Sequence, residues 1–187
     1  MINQGMESRK ASTDRCFLYP SLPLLLNPLS YLLAIVTMAL PSSLVTTKDT
    51  PHLGPAHPLY SNITTVPISA TTSLITIAGQ VAAQPDGTVP KSLSEQIELC
   101  LTKLTHCLAE AGATVHDMTR FMYYFTERAW EQDDAMKRMM ERVEPWLEGH
   151  RPASCLLVVR RLSRPEFLCE FEAQAVVRKA EQGTGRE

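Results

Sequence analysis

The ten residues His150 to Val159, HRPASCLLVV, set two basic side chains, a proline, a small-residue corner and a cysteine directly ahead of an apolar run. The run after Ser154 reads as a buried strand. The corner at its mouth is either a turn that starts that strand or the lip of a ligand pocket. A second chemical pattern lies in CEFEA, Cys169 to Ala173. Strand alternation places Glu170 and Glu172 on one face and Cys169 and Phe171 on the other. Two carboxylates on one face are either the solvated side of an edge strand or groups able to handle a proton. The five cysteines, Cys16, Cys100, Cys107, Cys155 and Cys169, show no CxxC spacing. They read as buried, reduced thiols, and no metal site and no cofactor are expected.

These groups need a scaffold, and the hydrophobic pattern supplies one. TTSLITIAG, Thr71 to Gly79, is rich in β-branched residues and predicts a strand; the Pro-Asp-Gly turn of QPDGTVP follows it. Ser92 and Glu95 form an S-x-x-E capping box. From there Leu93, Ile97, Cys100, Leu101, Leu104, Cys107, Leu108 and Ala111 recur at helical spacing until Gly112 ends the helix. His106 sits at the boundary of that stripe. TRFMYYFT, Thr119 to Thr126, predicts a second strand, and Ala129 to Leu147 a second helix whose Met and Trp stripe reads as core. Cys155–Val159 and Phe167–Val177 predict two closing strands joined by RRLSRPE. The expectation is an α+β layer, one mixed sheet with two helices on one face. Tyr123, Phe125 and Cys155 cannot all face those helices, so the second sheet face is expected to associate with other copies.

With 18 Lys and Arg against 20 Asp and Glu, the formal charge of -2 gives no basic excess, and no nucleic-acid partner is expected. Residues 16–40 are apolar but broken by Pro20, Pro23 and Pro28, too short in any clean piece to span a bilayer. Residues 1–42 are read as a leader or extension outside the fold, with a signal, a membrane anchor or a start at Met38 as alternatives. Residues 43–56 are read as a linker, 57–178 as the domain, and 179–187 as a flexible tail. A cytoplasmic location is expected.

Taken in order, ITIAGQVAAQPDG, CLAEAGATVHDM, RFMYYFT, PASC and CEFEAQAVV resemble the reactive intermediate deaminase family (RidA, YjgF or RutC-like proteins) over about His57 to Val177. The resemblance implies a chorismate-mutase-like α+β fold closed into a homotrimer with clefts between subunits. It implies a small-molecule substrate: water adds to the imine carbon of a labile 2-imino or enamine acid, and ammonia leaves. It also implies site residues. Glu170 takes the place of the glutamate that positions the water. Tyr60, in HPLYSN, takes that of a tyrosine closing the cleft; Gly79 matches the glycine of an SGQ segment, with Ala78 in place of the serine; Cys155 lines the cleft.

The departure lies at the corner. The family reads PARSC, with the arginine gripping the substrate carboxylate; this chain reads HRPASC, and that arginine is missing. Arg151 is a candidate replacement and Arg120 a second. Three functions follow from the resemblance. The first is processing of a labile imine or enamine that is not a simple 2-imino acid, an intermediate of specialised metabolism for example. The second is a catalytically silent trimeric ligand-binding module. The third is ordinary 2-imino acid deamination with Arg151 substituting.

Overall fold

Four strands and a helix read from local pattern are joined by two shorter strands that only long-range pairing creates. The computed structural model describes residues 44–132 and 134–178; residues 1–43 and the tail from 179, which include the expected leader, lie outside it. Six strands form one sheet: β1 (Thr46–Lys48), β2 (Ile63–Pro67), β3 (Thr72–Val81), β4 (Met118–Thr126), β5 (Ala153–Val159) and β6 (Cys169–Arg178). Their spatial order is β1-β2-β3-β6-β4-β5. Every pairing is antiparallel except β4 with β5. A parallel pair needs a crossover, and the chain between them supplies it as helix α2 (Glu127–Trp130) and helix α3 (Ala135–Trp146).

Helix α1 (Leu93–Glu110) covers the centre of the sheet. Its capping box is present as read: Ser92 Oγ accepts from the Glu95 amide at 3.2 Å, and Glu95 Oε2 accepts from the Ser92 amide at 3.4 Å. Gly112, at a φ of 71°, takes the left-handed conformation that ends the helix. Ile97, Cys100, Leu104 and Leu108 of α1 meet Ile75, Ile77, Phe121, Phe125 and Phe171 of the sheet in one apolar core. Trp146 of α3 lies against Phe121, with ring centroids 5.4 Å apart, and donates its Nε1–H to Thr105 Oγ1 at 2.8 Å. All three helices therefore sit on one sheet face.

Several expectations need correction. The stretch read as a linker contains β1 and a 3-10 turn, Pro51–Leu53; β1 is held by pairing with β2, a partner no local pattern names. The second helix is two pieces, because Asp134 takes the N-cap of α3 where a continuous helix would need it in the interior. The Met stripe is only partly core: Val143 is buried and Met139 packs on the core, but Met136 and Met140 are exposed. Tyr123 and Phe125 point to the helices while Cys155 does not, and Cys155 is exposed rather than buried. The strand carrying the paired glutamates, β6, lies between β3 and β4 and is not an edge. Among the described residues no helix is long and apolar enough to cross a membrane.

Candidate active site

The uncovered sheet face is organised as rows of side chains running across the strands. One row joins Val81, Glu170, Tyr124 and Leu157; the next joins Glu172, Met122 and Cys155; a third joins Thr76, Gln174, Arg120 and Ala153. Successive rows are two residues apart, about 7 Å along the strands. Glu170 and Glu172 share this face, and Cys169 and Phe171 turn into the core, as alternation required.

What sets Glu170 apart is its seat. Between Ile77 and Gln80 the β3–β6 register slips: Ile77 pairs Ala173, but Gln80 pairs Phe171, so β3 carries one extra residue. That bulge presents Gly79 to the Glu170 side chain. A Cβ built on Gly79 would lie 1.8 Å from Glu170 Oε1 and 2.8 Å from its Cδ. Only glycine leaves the carboxyl group its place. Half-buried there, the Glu170 carboxyl is pushed above its ordinary value of 4.5, by burial first and by the neighbouring Glu172 charge second. Tyr124, directly opposite Glu170, donates its hydroxyl to Glu172 Oε1 at 3.0 Å. Burial, that hydrogen bond and the two carboxylates together raise the Tyr124 hydroxyl. A carboxyl whose protonated form is favoured in this way can give a proton to a departing amine and, once ionised, take one from water.

Helix α1 fixes both strands that build this seat. Buried Gln96 donates to the carbonyls of Pro90 (2.7 Å) and Glu166 (2.9 Å) and accepts from the Leu168 amide (2.8 Å), pinning the start of β6. Lys103 donates to the Val81 carbonyl at 2.9 Å and so holds the end of β3; burial lowers its pKa. The core thiols are inert. Burial raises Cys107 to about 12, and the hydrogen bond to Cys100 and then burial raise Cys169.

Of the residues singled out by sequence, the fold brings together Glu170 and Gly79 and places Cys155 in the adjoining row. Among the described residues Tyr60 makes no hydrogen bond to that group; it is exposed and stacked on His57 with centroids 4.1 Å apart, two residues before Asn62, whose carbonyl accepts from the Ala78 amide at 2.9 Å. Arg151 is apart: it lines a groove of about 510 Å³ with Met139, Val143 and Glu144 of α3 and Tyr123, on the helix-covered side of the sheet. Arg120 stands on the same face as Glu170, beside a small cavity shared with Glu172, Gln174 and Thr76. It is directly opposite Ala153 of the PASC corner, and its side chain makes no hydrogen bond or ion pair among the described residues. Tyr124 was not singled out, because its meeting with Glu172 depends on β4–β6 register, which no local signal reports. No group of His, Cys, Asp and Glu among the described residues is placed to hold a metal ion.

The sequence from residue 55 to 177 matches the family described as endoribonuclease L-PSP. Comparison with curated proteins gives no match. Among solved structures, yeast Mmf1 is similar at a TM-score of 0.60 and 20% identity, over 71% of this chain and 98% of its own. The YjgF gene product of E. coli is similar at 0.58 and 22%, over 70% and 98%. E. coli TdcF, solved with bound serine, is similar at 0.58 and 20%, over 71% and 98%. At such identities the structures establish a shared fold.

Proposed function

Since the chain belongs to the endoribonuclease L-PSP family, that of the RidA and YjgF proteins, we propose that it hydrolyses a labile imine or enamine-derived intermediate, with Glu170 as the proton-handling group. Water adds to the imine carbon while the nitrogen gains a proton; the carbinolamine then loses ammonia or amine as its C–N bond breaks, leaving the carbonyl product. Glu170 positions the water and moves the proton between water and the leaving amine. The observation that carries this reading is the carboxyl group seated on the Gly79 bulge with its pKa raised. With Ala153 at the corner, an uncharged imine is the preferred substrate.

We further propose the family's homotrimer. The uncovered face supports it: it displays Val66, Leu74, Met122, Cys155 and Leu157 on the side away from the helices, and an apolar face of that kind calls for a partner. Glu170 and the Ala153 corner lie in rows two apart within one protomer, so a cleft between neighbouring copies is the arrangement that brings corner and carboxyl together. Light scattering is expected to give three times the chain mass of 20.8 kDa; a mass of one chain would remove both trimer and cleft.

A second reading has one observation in its favour. Arg120 is unpaired and directly opposite Ala153, so its guanidinium fork can grip a carboxylate in place of the missing arginine. The test of both is hydrolysis of an uncharged N-alkyl benzaldimine and of 2-iminobutyrate generated in situ, by wild type, Arg120→Ala and Arg151→Ala. Faster loss of the benzaldimine, untouched by either substitution, supports the first reading. Acceleration of 2-iminobutyrate alone, abolished by Arg120→Ala, supports the second; abolition by Arg151→Ala returns the role to that residue. No acceleration of either imine overturns the enzymatic reading and leaves a binding module.

A further inference from the structure

The fold gathers the RRLSRPE connection between β5 and β6 into a basic pocket. A depression of about 260 Å³ is lined by Arg160, Arg161 and Arg164 from this connection and by Arg128 from α2, with Thr126 and Phe167 beside them. Two of the four guanidinium groups are tied down. Arg128 donates to the Pro165 carbonyl at 2.8 Å. Arg164 lies over the Phe167 ring at 5.1 Å, approaches the Gly87 carbonyl at 3.4 Å and pairs with Glu166 at 3.5 Å. Arg160 and Arg161 make no hydrogen bond or ion pair among the described residues and are exposed. Among the described residues Glu166 is thus the only acid paired within the group, in a chain whose net charge is -2. The Glu166 carboxyl is held below its ordinary range, by the hydrogen bond from its own backbone first, by that from Arg164 next, and least by the charges of Arg164 and Arg128.

Four like charges around one depression repel one another, and an anion relieves that repulsion. Two free guanidinium forks offer paired N–H donors in the geometry a phosphoryl group accepts bidentately. The pocket is compact rather than a stripe along the surface, which suits a small ligand better than a nucleic-acid backbone. We propose that this pocket binds the phosphate or diphosphate group of a small phosphorylated molecule. The proposal is independent of the Glu170 chemistry.

Calorimetric titration of the full chain with diphosphate and with inorganic phosphate, at constant ionic strength, tests it. Wild type is expected to bind diphosphate at one site per chain, more tightly than phosphate. The double variant Arg160→Ala/Arg161→Ala should weaken binding by about tenfold or more while keeping the wild-type melting temperature, since it removes the charge-assisted hydrogen bonds to the anion. Arg160→Lys/Arg161→Lys should recover only part of the loss, because the charge returns without the fork. Lys137→Ala, which removes a distant charge on α3, should leave binding unchanged. No heat with wild type, or equal weakening by Lys137→Ala, overturns the proposal. So does a single-stranded RNA oligonucleotide binding more tightly than diphosphate and losing affinity in the same double variant, which would make the pocket part of a polynucleotide surface.

Discussion

Replacing Gly79 by Ala is the sharpest structural perturbation of the proposed site. The added methyl would stand 1.8 Å from Glu170 Oε1, 2.8 Å from Cδ and 3.1 Å from Cγ, where ordinary contact begins at 3.4 Å. The carboxyl must therefore retreat by at least about 1.6 Å, the shortfall from ordinary contact. Because the clashing atoms belong to one flexible side chain and not to backbone, the fold can yield by swinging Glu170 toward solvent. Overpacking costs about 1–3 kcal/mol in general, and the low end, about 1 kcal/mol, is expected here. A displacement of that size at a reacting group is expected to lower imine hydrolysis by about a hundredfold. Urea denaturation measures the stability change. Benzaldimine hydrolysis measures the rate, and carboxyl ¹³C NMR follows Glu170, whose pKa should fall back toward 4.5 as it leaves its seat. Adding Glu170→Gln to Gly79→Ala should cost little more than Glu170→Gln alone, since both act through one carboxyl. A Gly79→Ala protein that is folded, fully active and unchanged in its Glu170 titration would refute the seat. Losses that multiply in the double variant would refute the coupling.

Other outcomes follow from the same geometry. Glu170 has a folded pKa above 4.5, so its contribution to stability is full below 4.5 and is lost as the pH rises through the folded value. Glu170→Gln is therefore expected to melt above wild type near neutral pH, with the gap closing below pH 4.5, as a pH series of thermal melts will show. Tyr124→Phe removes the donor to Glu172; at this half-exposed position a loss of about 1 kcal/mol is expected in urea denaturation. The freed Glu172 charge should also alter the Glu170 titration in ¹³C NMR, and an unchanged titration would disconnect the pair. Gln96→Leu leaves the Leu168 amide and two carbonyls without their partner; a loss of about 3 kcal/mol is expected, with faster amide exchange at the start of β6. Stability within error of wild type would show that Gln96 does not hold that strand.

What the sequence revealed was whatever short-range physics determines. The Ser92–Glu95 box, the apolar stripe of α1 and the Gly112 stop are local and came out as read. So did the common face of Glu170 and Glu172, which needs only the two-residue period of a strand. The rest rests on pairing between distant segments. β1 has three residues in a Ser, Thr and Pro-rich stretch and exists because β2 lies beside it. The bulge that makes Gly79 the floor beneath Glu170 is a mismatch of β3 against β6, visible only in register. Arg120 opposite Ala153 and Tyr124 opposite Glu170 are likewise facts of register, so two prominent side chains of this face carried little signal in the linear chain. Arg151, prominent in HRPASC, turned out to line the α3 groove on the far side of the sheet. The corner that suggested a carboxylate grip thus supplies, in one protomer, a strand start bearing Ala153 and Cys155 toward the open face.

The central claim, that Glu170 handles the proton in hydrolysis of an imine, is tested most directly by one comparison. The rate of benzaldimine hydrolysis is measured for wild type and for Glu170→Gln, which keeps the shape and loses the titratable group. The expected result is acceleration by wild type over buffer and a fall of about 10²–10⁴-fold in the variant. A variant as active as wild type would contradict it.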